Sequence, residues 1–486
     1  VIRQWYIAAP AALIVSLVPA AARAQAPAAA EERLAKQIEA QQADIDEQAG
    51  RIRDLEKKLA ELLARQEAEK AAPVSPPAPP PPLPPPSTPA LPPLHPDTLL
   101  PEFLRNLTFS GYIQGEYETN QDSQDQLSPT GDPLNQDRFV LRRARVKVEK
   151  EWQYASAMIE TDGNTVNGPY FGLLHAEASV LYRGERAYSL PPFLELTFGQ
   201  FDLPFGYELV ESPKTRWFME RSSASRALWP GEPDVGARLE SALGWFRGVV
   251  AIVNGNPLGE PVGFPLRSPN AAKDIVARAG AELEPTPWLF LAGGASVYNG
   301  TGFNPGTLAT KNLVQGVLNG GTLMPTVLPA TAATPSQTFN RWAVGGDLRA
   351  EVKTALGTTR LTFELVVADN MDRGLFVAEP ILTGYDSREV GVAIGITQEI
   401  FGYGVIGFRY DSYDPNADAQ AREGGTLVAV SQTVRSFSPL IGLALRDHAR
   451  LLFQYDVNRN ELGLTPSGLP TDLRDDAWTL RLQGAL

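Results

Sequence analysis

Five basic side chains crowd one short stretch: Arg138, Arg142, Arg143, Arg145 and Lys147. The residues around them alternate with the period of two that a β-strand imposes. Phe139, Leu141, Arg143, Arg145 and Lys147 share one face. Val140, Arg142, Ala144, Val146 and Val148 share the other, which is the more apolar. A guanidinium grips two oxygens of an oxyanion at once, and a ladder of such groups hands an anion from one rung to the next. Arg143, Arg145 and Lys147 are spaced for that, with Arg142 at a rim or a bulge. Pairing with carboxylates such as Glu116 or Glu149, which only stiffens a wall, fits the same spacing, and both readings stand.

A second set of cations, Arg216, Arg221 and Arg226, lies in an aperiodic run after Pro204. Trp217, Phe218 and Trp229 lie among them, with Glu208, Glu211 and Glu220. Long loops in compact proteins are functional or disordered, and disorder is poor in rings. The arginines would charge a narrow passage unless the glutamates neutralise them. The rings would stack on sugars or simply pin the loop, and packing is the better fit.

Little here suits catalysis. The three histidines, His95, His175 and His448, are scattered, and no serine elbow, metalloprotease helix or Walker loop is present. Gly402, Gly404 and Gly407 match a nucleotide-binding spacing but sit inside a strand pattern and open no helix. Asp411, Asp414, Asn416 and Asp418 lack the ligand order of a calcium loop and read as a turn around Pro415. With no cysteine, disulfides and thiolate metal sites are excluded. The expectation is a protein that is not an enzyme and needs no cofactor or metal.

The elements that must position these residues are strands. Leu107, Phe109, Gly111 and Ile113 alternate with Thr108, Ser110, Tyr112 and Gln114, and similar runs recur to the end of the chain. Apolar-out, polar-in strands of about ten residues, with rings near their ends, mark a transmembrane antiparallel barrel. At the observed spacing about 16 strands are expected, and the number should be even. A Lys or Arg facing lipid costs about 2–4 kcal/mol, so the basic ladder should face the lumen.

Three segments precede the barrel. Residues 1–24 read as a cleaved signal peptide, with Arg3, an apolar run from Ile7 to Val18 and Ala22-Arg23-Ala24. Residues 25–72 read as a coiled-coil helix with Ile38, Ile45, Ile52 and Leu59 seven apart. Residues 73–101 hold 15 of the 42 prolines, too many for a core, and read as a semi-rigid linker. The barrel is expected over 102–486, with an inward-folded loop over about 208–236.

The run Gly199-Gln200-Phe201-Asp202-Leu203-Pro204-Phe205-Gly206-Tyr207-Glu208 resembles the signature of the phosphate-selective porins, porins O and P. Phe218-Met219-Glu220-Arg221-Ser222 and the stretch from Pro233 to Gly236 resemble that family's following segments. Asp202 stands where the family usually has Lys, and Leu486 where it usually ends in an aromatic. The resemblance implies an outer-membrane homotrimer that passes small hydrophilic solutes, anions such as phosphate among them, through a pore narrowed by the loop. The strand alternation makes Arg143, Arg145 and Lys147, and the charged loop Arg216, Arg221 and Arg226, the expected pore-lining cations. The net charge of −13 and Asp202 pull the other way, toward a pore that prefers cations or sugars. A third reading makes the barrel an anchor whose coil, in the periplasm, contacts cell-wall peptidoglycan. Nucleic acid is not an expected partner.

Overall fold

The computed structural model describes residues 107–122, 137–186, 190–231, 233–255, 271–319, 322–423, 425–445, 448–464 and 470–485. The expected signal peptide, coil and linker, and Leu486, lie outside the described residues.

The strands are β1 (Leu107–Asn120), β2 (Arg138–Glu151), β3 (Ala155–Asn164), β4 (Tyr170–Tyr182), β5 (Leu194–Asp202), β6 (Pro233–Leu243), β7 (Phe246–Val253), β8 (Asp274–Thr286) and β9 (Leu289–Asn304). They continue with β10 (Leu313–Asn319), β11 (Thr322–Leu328), β12 (Gln337–Thr354), β13 (Gly357–Asp369), β14 (Arg388–Ile400) and β15 (Gly404–Asp414). The last are β16 (Gln420–Glu423), β17 (Thr426–Ala429), β18 (Val434–Leu445), β19 (Ala449–Arg459), β20 (Gly463–Leu464), β21 (Pro470–Thr471) and β22 (Ala477–Ala485). Sixteen of them form one closed antiparallel barrel, sealed where β1 pairs with β22. The pairs β10–β11, β16–β17 and β20–β21 are small separate sheets within connections.

Closure satisfies every edge, and the pleat then sorts side chains by polarity. Phe109, Ile113, Val146, Phe198, Ile252 and Leu482 are exposed on the outer face. Gln114, Arg145, Thr197, Ser438, Gln454 and Arg481 are buried on the inner one. An exterior this apolar around a polar interior is stable when hydrocarbon replaces water outside.

The connections sort as well. One end has turns of two to eleven residues and both barrel termini; the other has connections of five to 32. The third long connection, 203–232, turns into the lumen, so the inward loop starts and stops a few residues before the expected 208–236. At the root of the eighth, burial and the neighbouring Asp472 and Asp476 push the Asp475 carboxyl up to about 6. A raised carboxyl favours the fold when protonated. Its contribution is full below about pH 4, the unfolded value, and is lost as pH rises through 6. Asp475→Asn should therefore leave the melting temperature unchanged near pH 4 and raise it at pH 7, read by thermal denaturation at the two pH values.

Two strands differ from expectation. Phe246–Val253 is a strand that alternation does not reveal, because FRGVVAIV is nearly all apolar. Val434–Leu445 is one strand although a proline, with no N–H for the ladder, stands in its middle. Pro439 sits on it without ending the ladder: it pairs with Phe408 in register.

Candidate functional site

The basic ladder lies on β2 but not in one phase. Register with β1 slips between Gln114, opposite Arg143, and Gly115, opposite Leu141, so Arg142 is the extra residue of a bulge. The bulge reverses the pleat. Arg143 and Arg145 are buried on the lumen side, and so is Val140, while Phe139 faces out. The alternation therefore breaks at Arg142, at the bulge that is one of the two places expected for it, and Arg142 joins Arg143 inside.

Both meet Glu220 of the inward loop. Arg142 Nε donates to Glu220 Oε1 at 3.0 Å, and Arg143 donates through Nη1 at 3.0 Å and Nη2 at 2.9 Å. Arg481 of β22 adds a third guanidinium at 2.9 Å and also pairs with Glu116. One loop carboxylate thus holds cations from two barrel strands. Burial alone would raise its pKa, but Arg143, Arg142 and Arg481 outweigh that and hold it well below the usual carboxylate range. The latch is therefore intact above about pH 4 and is lost only as pH falls further.

The other loop arginines hold the loop to itself. Arg216, 5 % exposed, donates to the Glu208 and Glu211 carbonyls and lines a chamber of about 40 Å³ behind the loop. Arg221 donates to the Trp229 carbonyl. Arg226 is exposed, with a contact to Ser223 Oγ at 3.4 Å. Of the glutamates named as their partners, Glu211 faces Arg216 at 3.6 Å; Glu208 instead accepts from the Ser222 N–H and hydroxyl.

Fastenings run the length of the loop. Glu364 on β13 accepts the N–H groups of Tyr207 and Glu208. Ser296 receives Gly206 N–H, Asp411 receives Ser223 N–H, and Gln454 receives Met219 N–H. A six-residue helix, Ser223–Leu228, is capped by Ser222 and nearly all buried. Trp229 is 1 % exposed and its ring lies 4.5 Å from Phe205. Trp217 and Phe218 are also buried, under Arg450 and Arg409. The rings pin the loop and offer no stacking face.

The loop packs through its apolar cluster on β7–β9 and β12–β15 and is tied to β2, β19 and β22 by Glu220, Met219 and Lys214; open space remains beside it along β2–β8. Three cavities follow that wall. The first, about 620 Å³, lies toward the long connections and is lined by Arg142, Arg143, Arg145 and Asp162. The second, about 380 Å³, begins at Arg145, the one lining residue common to both. The third, about 270 Å³, shares Pro204, Val210 and Glu240 with the second and reaches Pro191 and Arg247 near the short turns. Arg145 itself lies 3.3 Å from Asp162 and over the Tyr112 ring. Lys147, in the second cavity, pairs with Glu149.

The Gly199–Glu208 run has a mechanical role here. Gly199 has φ +146°, and a Cβ there would lie 2.0 Å from the Ala176 carbonyl, so only glycine brings β5 this close to β4. Gln200 donates to the Leu173 and Leu174 carbonyls, beside a second bulge where Glu160 faces His175 and Thr161 faces Leu173. Asp202 reaches His175 Nε2 at 2.9 Å, and Glu160 reaches Nδ1 at 2.9 Å. Carboxylates at both ring nitrogens are satisfied together only by the doubly protonated ring. His175 and Arg481 gave no signal in the sequence as site residues. Their partners lie 15 and 27 positions away for the first and more than 200 for the second.

No family model and no curated protein matches the chain. Solved structures do. OprB of Pseudomonas putida is 12 % identical over 79 % of this chain and 95 % of its own, with a TM-score of 0.49. The outer membrane channel DcaP of Acinetobacter baumannii is 11 % identical over 78 % and 97 %, at 0.48. An anion-selective porin from Comamonas acidovorans is 11 % identical over 78 % and 99 %, at 0.45. At these identities the likeness is of architecture, and the chemistry has to come from this chain's own side chains.

Proposed function

We propose that the chain is an outer-membrane porin through which small hydrophilic solutes diffuse passively. The observation that carries this reading is the row of cavities joined along β2–β8 inside a barrel with an apolar exterior, narrowed by a loop fastened into the lumen. No chemistry is asked of the wall; pore radius and lining charge select the solute. The first cavity carries three arginines against one aspartate, which supports entry of anions such as phosphate at that end. The heptad of residues 31–70 supports a self-associating periplasmic coil; the trimer rests on the family resemblance, and the proline-rich linker gives the coil the reach to meet the cell wall.

The test is current across a planar bilayer, with reversal potential read in a KCl gradient. A channel is expected. Arg143→Ala with Arg145→Ala should lower anion over cation permeability by about threefold to tenfold, the effect of removing partly compensated charges from a pore wall. An unchanged reversal potential removes these two residues from the selectivity path.

A further inference from the structure

The second cavity is charged differently on its two sides. From β2 and the loop it receives Arg145, Lys147 and Lys214, and no carboxylate. From β3 to β6 it receives Glu160, Glu177, Asp202 and Glu240. Those four carboxylates share two cations. His175 serves Glu160 and Asp202, and Arg238 serves Glu177 at 2.9 Å and Glu240 at 3.1 Å. The acidic side thus keeps an excess of two negative charges with His175 protonated. On the basic side, Arg145 pairs with Asp162, which lines the first cavity, and Lys147 with Glu149, which lines neither, while Lys147 also stands opposite Glu160 across the β2–β3 ladder.

We infer that this chamber selects dipolar solutes, small molecules that carry an anionic group and an ammonium group together. The inference rests on the pore reading above and names its substrate class. A simple anion that has passed the arginine-lined first cavity meets an acidic wall beyond Arg145 that repels it. A simple cation is repelled earlier, at the arginines. A zwitterion is attracted by both sides at once, with its carboxylate toward Arg145, Lys147 and Lys214 and its ammonium toward Glu177 and Glu240. The volume of about 380 Å³ lies within the roughly 300–1,000 Å³ of small-molecule sites. Asp202 fits this arrangement: a lysine there would remove one of the four carboxylates and oppose His175.

The experiment uses the full-length protein in a planar bilayer. Single-channel KCl current is titrated with 4-aminobutanoate, butanoate and choline. Block by 4-aminobutanoate is expected at about tenfold lower concentration than by either singly charged probe, the value of one additional charge-assisted contact. Glu177→Gln with Glu240→Gln should abolish that difference while the channel persists. Glu240→Gln alone, on the more exposed of the two side chains, should halve it or more and guards against a folding defect in the double variant. Equal block by all three probes, or a preference untouched by the variants, overturns the inference and leaves the porin standing. Absence of any channel overturns both.

Discussion

Replacing Glu220 by Gln should turn the pore strongly toward anions. Arg142, Arg143 and Arg481 converge on this one carboxylate, and the amide that remains neutralises none of them. A unit charge about 7 Å from a passing ion is worth about 2 kcal/mol at an effective dielectric of about 20. Chloride over potassium preference should therefore rise by on the order of tenfold, read as a shift in reversal potential. Stability should fall too. Breaking a fully buried pair costs about 3–5 kcal/mol, and less here because a quarter of the Glu220 side chain still meets solvent. Conductance should change little, since Glu364, Ser296, Asp411 and Gln454 still fasten the loop. Glu220→Asp keeps the charge and should keep selectivity near that of the parent. A Gln variant with the parent's reversal potential would show that the three arginines lie outside the ion path.

The latch shows what the sequence can and cannot reveal. Alternation alone predicts a barrel of about 16 strands, because lipid and lumen impose opposite polarity on successive residues, and that signal is local. It fails where both faces are apolar, as in Phe246–Val253, and where a bulge shifts phase, as at Arg142. The basic residues of β2 were legible as lumen groups. Their partners were not: Glu220 is 77 and 78 positions away, and its link to Arg481 spans 261. Such pairs are created by closure of the barrel and infolding of the loop. The same holds for His175, a lone histidine on a strand until β3 and β5 bring carboxylates to both ring nitrogens. The porin-like run around Gly199 was legible as a motif, but its physical reason, a backbone approach that excludes any Cβ, appears only in three dimensions.

Replacing Trp229 by Ala should have the complementary effect, a large change in conductance with little change in selectivity. The indole is the largest fully buried side chain of the described residues. It packs with Phe205, Leu203, Leu209 and Leu228 of the loop against Val253, Val276 and Tyr298 of the wall. Emptying such a site costs about 3–5 kcal/mol, and the loss falls on the loop, since the barrel ladders contain none of it. The end of the loop after the helix should then swing into and out of the lumen. Single-channel records should show a raised mean conductance and added current noise, with the barrel still resisting unfolding in detergent. Ion preference should hold, because Glu220 still grips Arg142, Arg143 and Arg481. Trp229→Phe is the control: the indole N–H finds no acceptor among the described residues, so the smaller ring gives up volume without breaking a hydrogen bond. Parent conductance in the Ala variant would mean that the polar fastenings alone hold the constriction. The crossed outcome, selectivity moved by Glu220 and pore size by Trp229, would mean that charge and radius are set by separate residues of one loop.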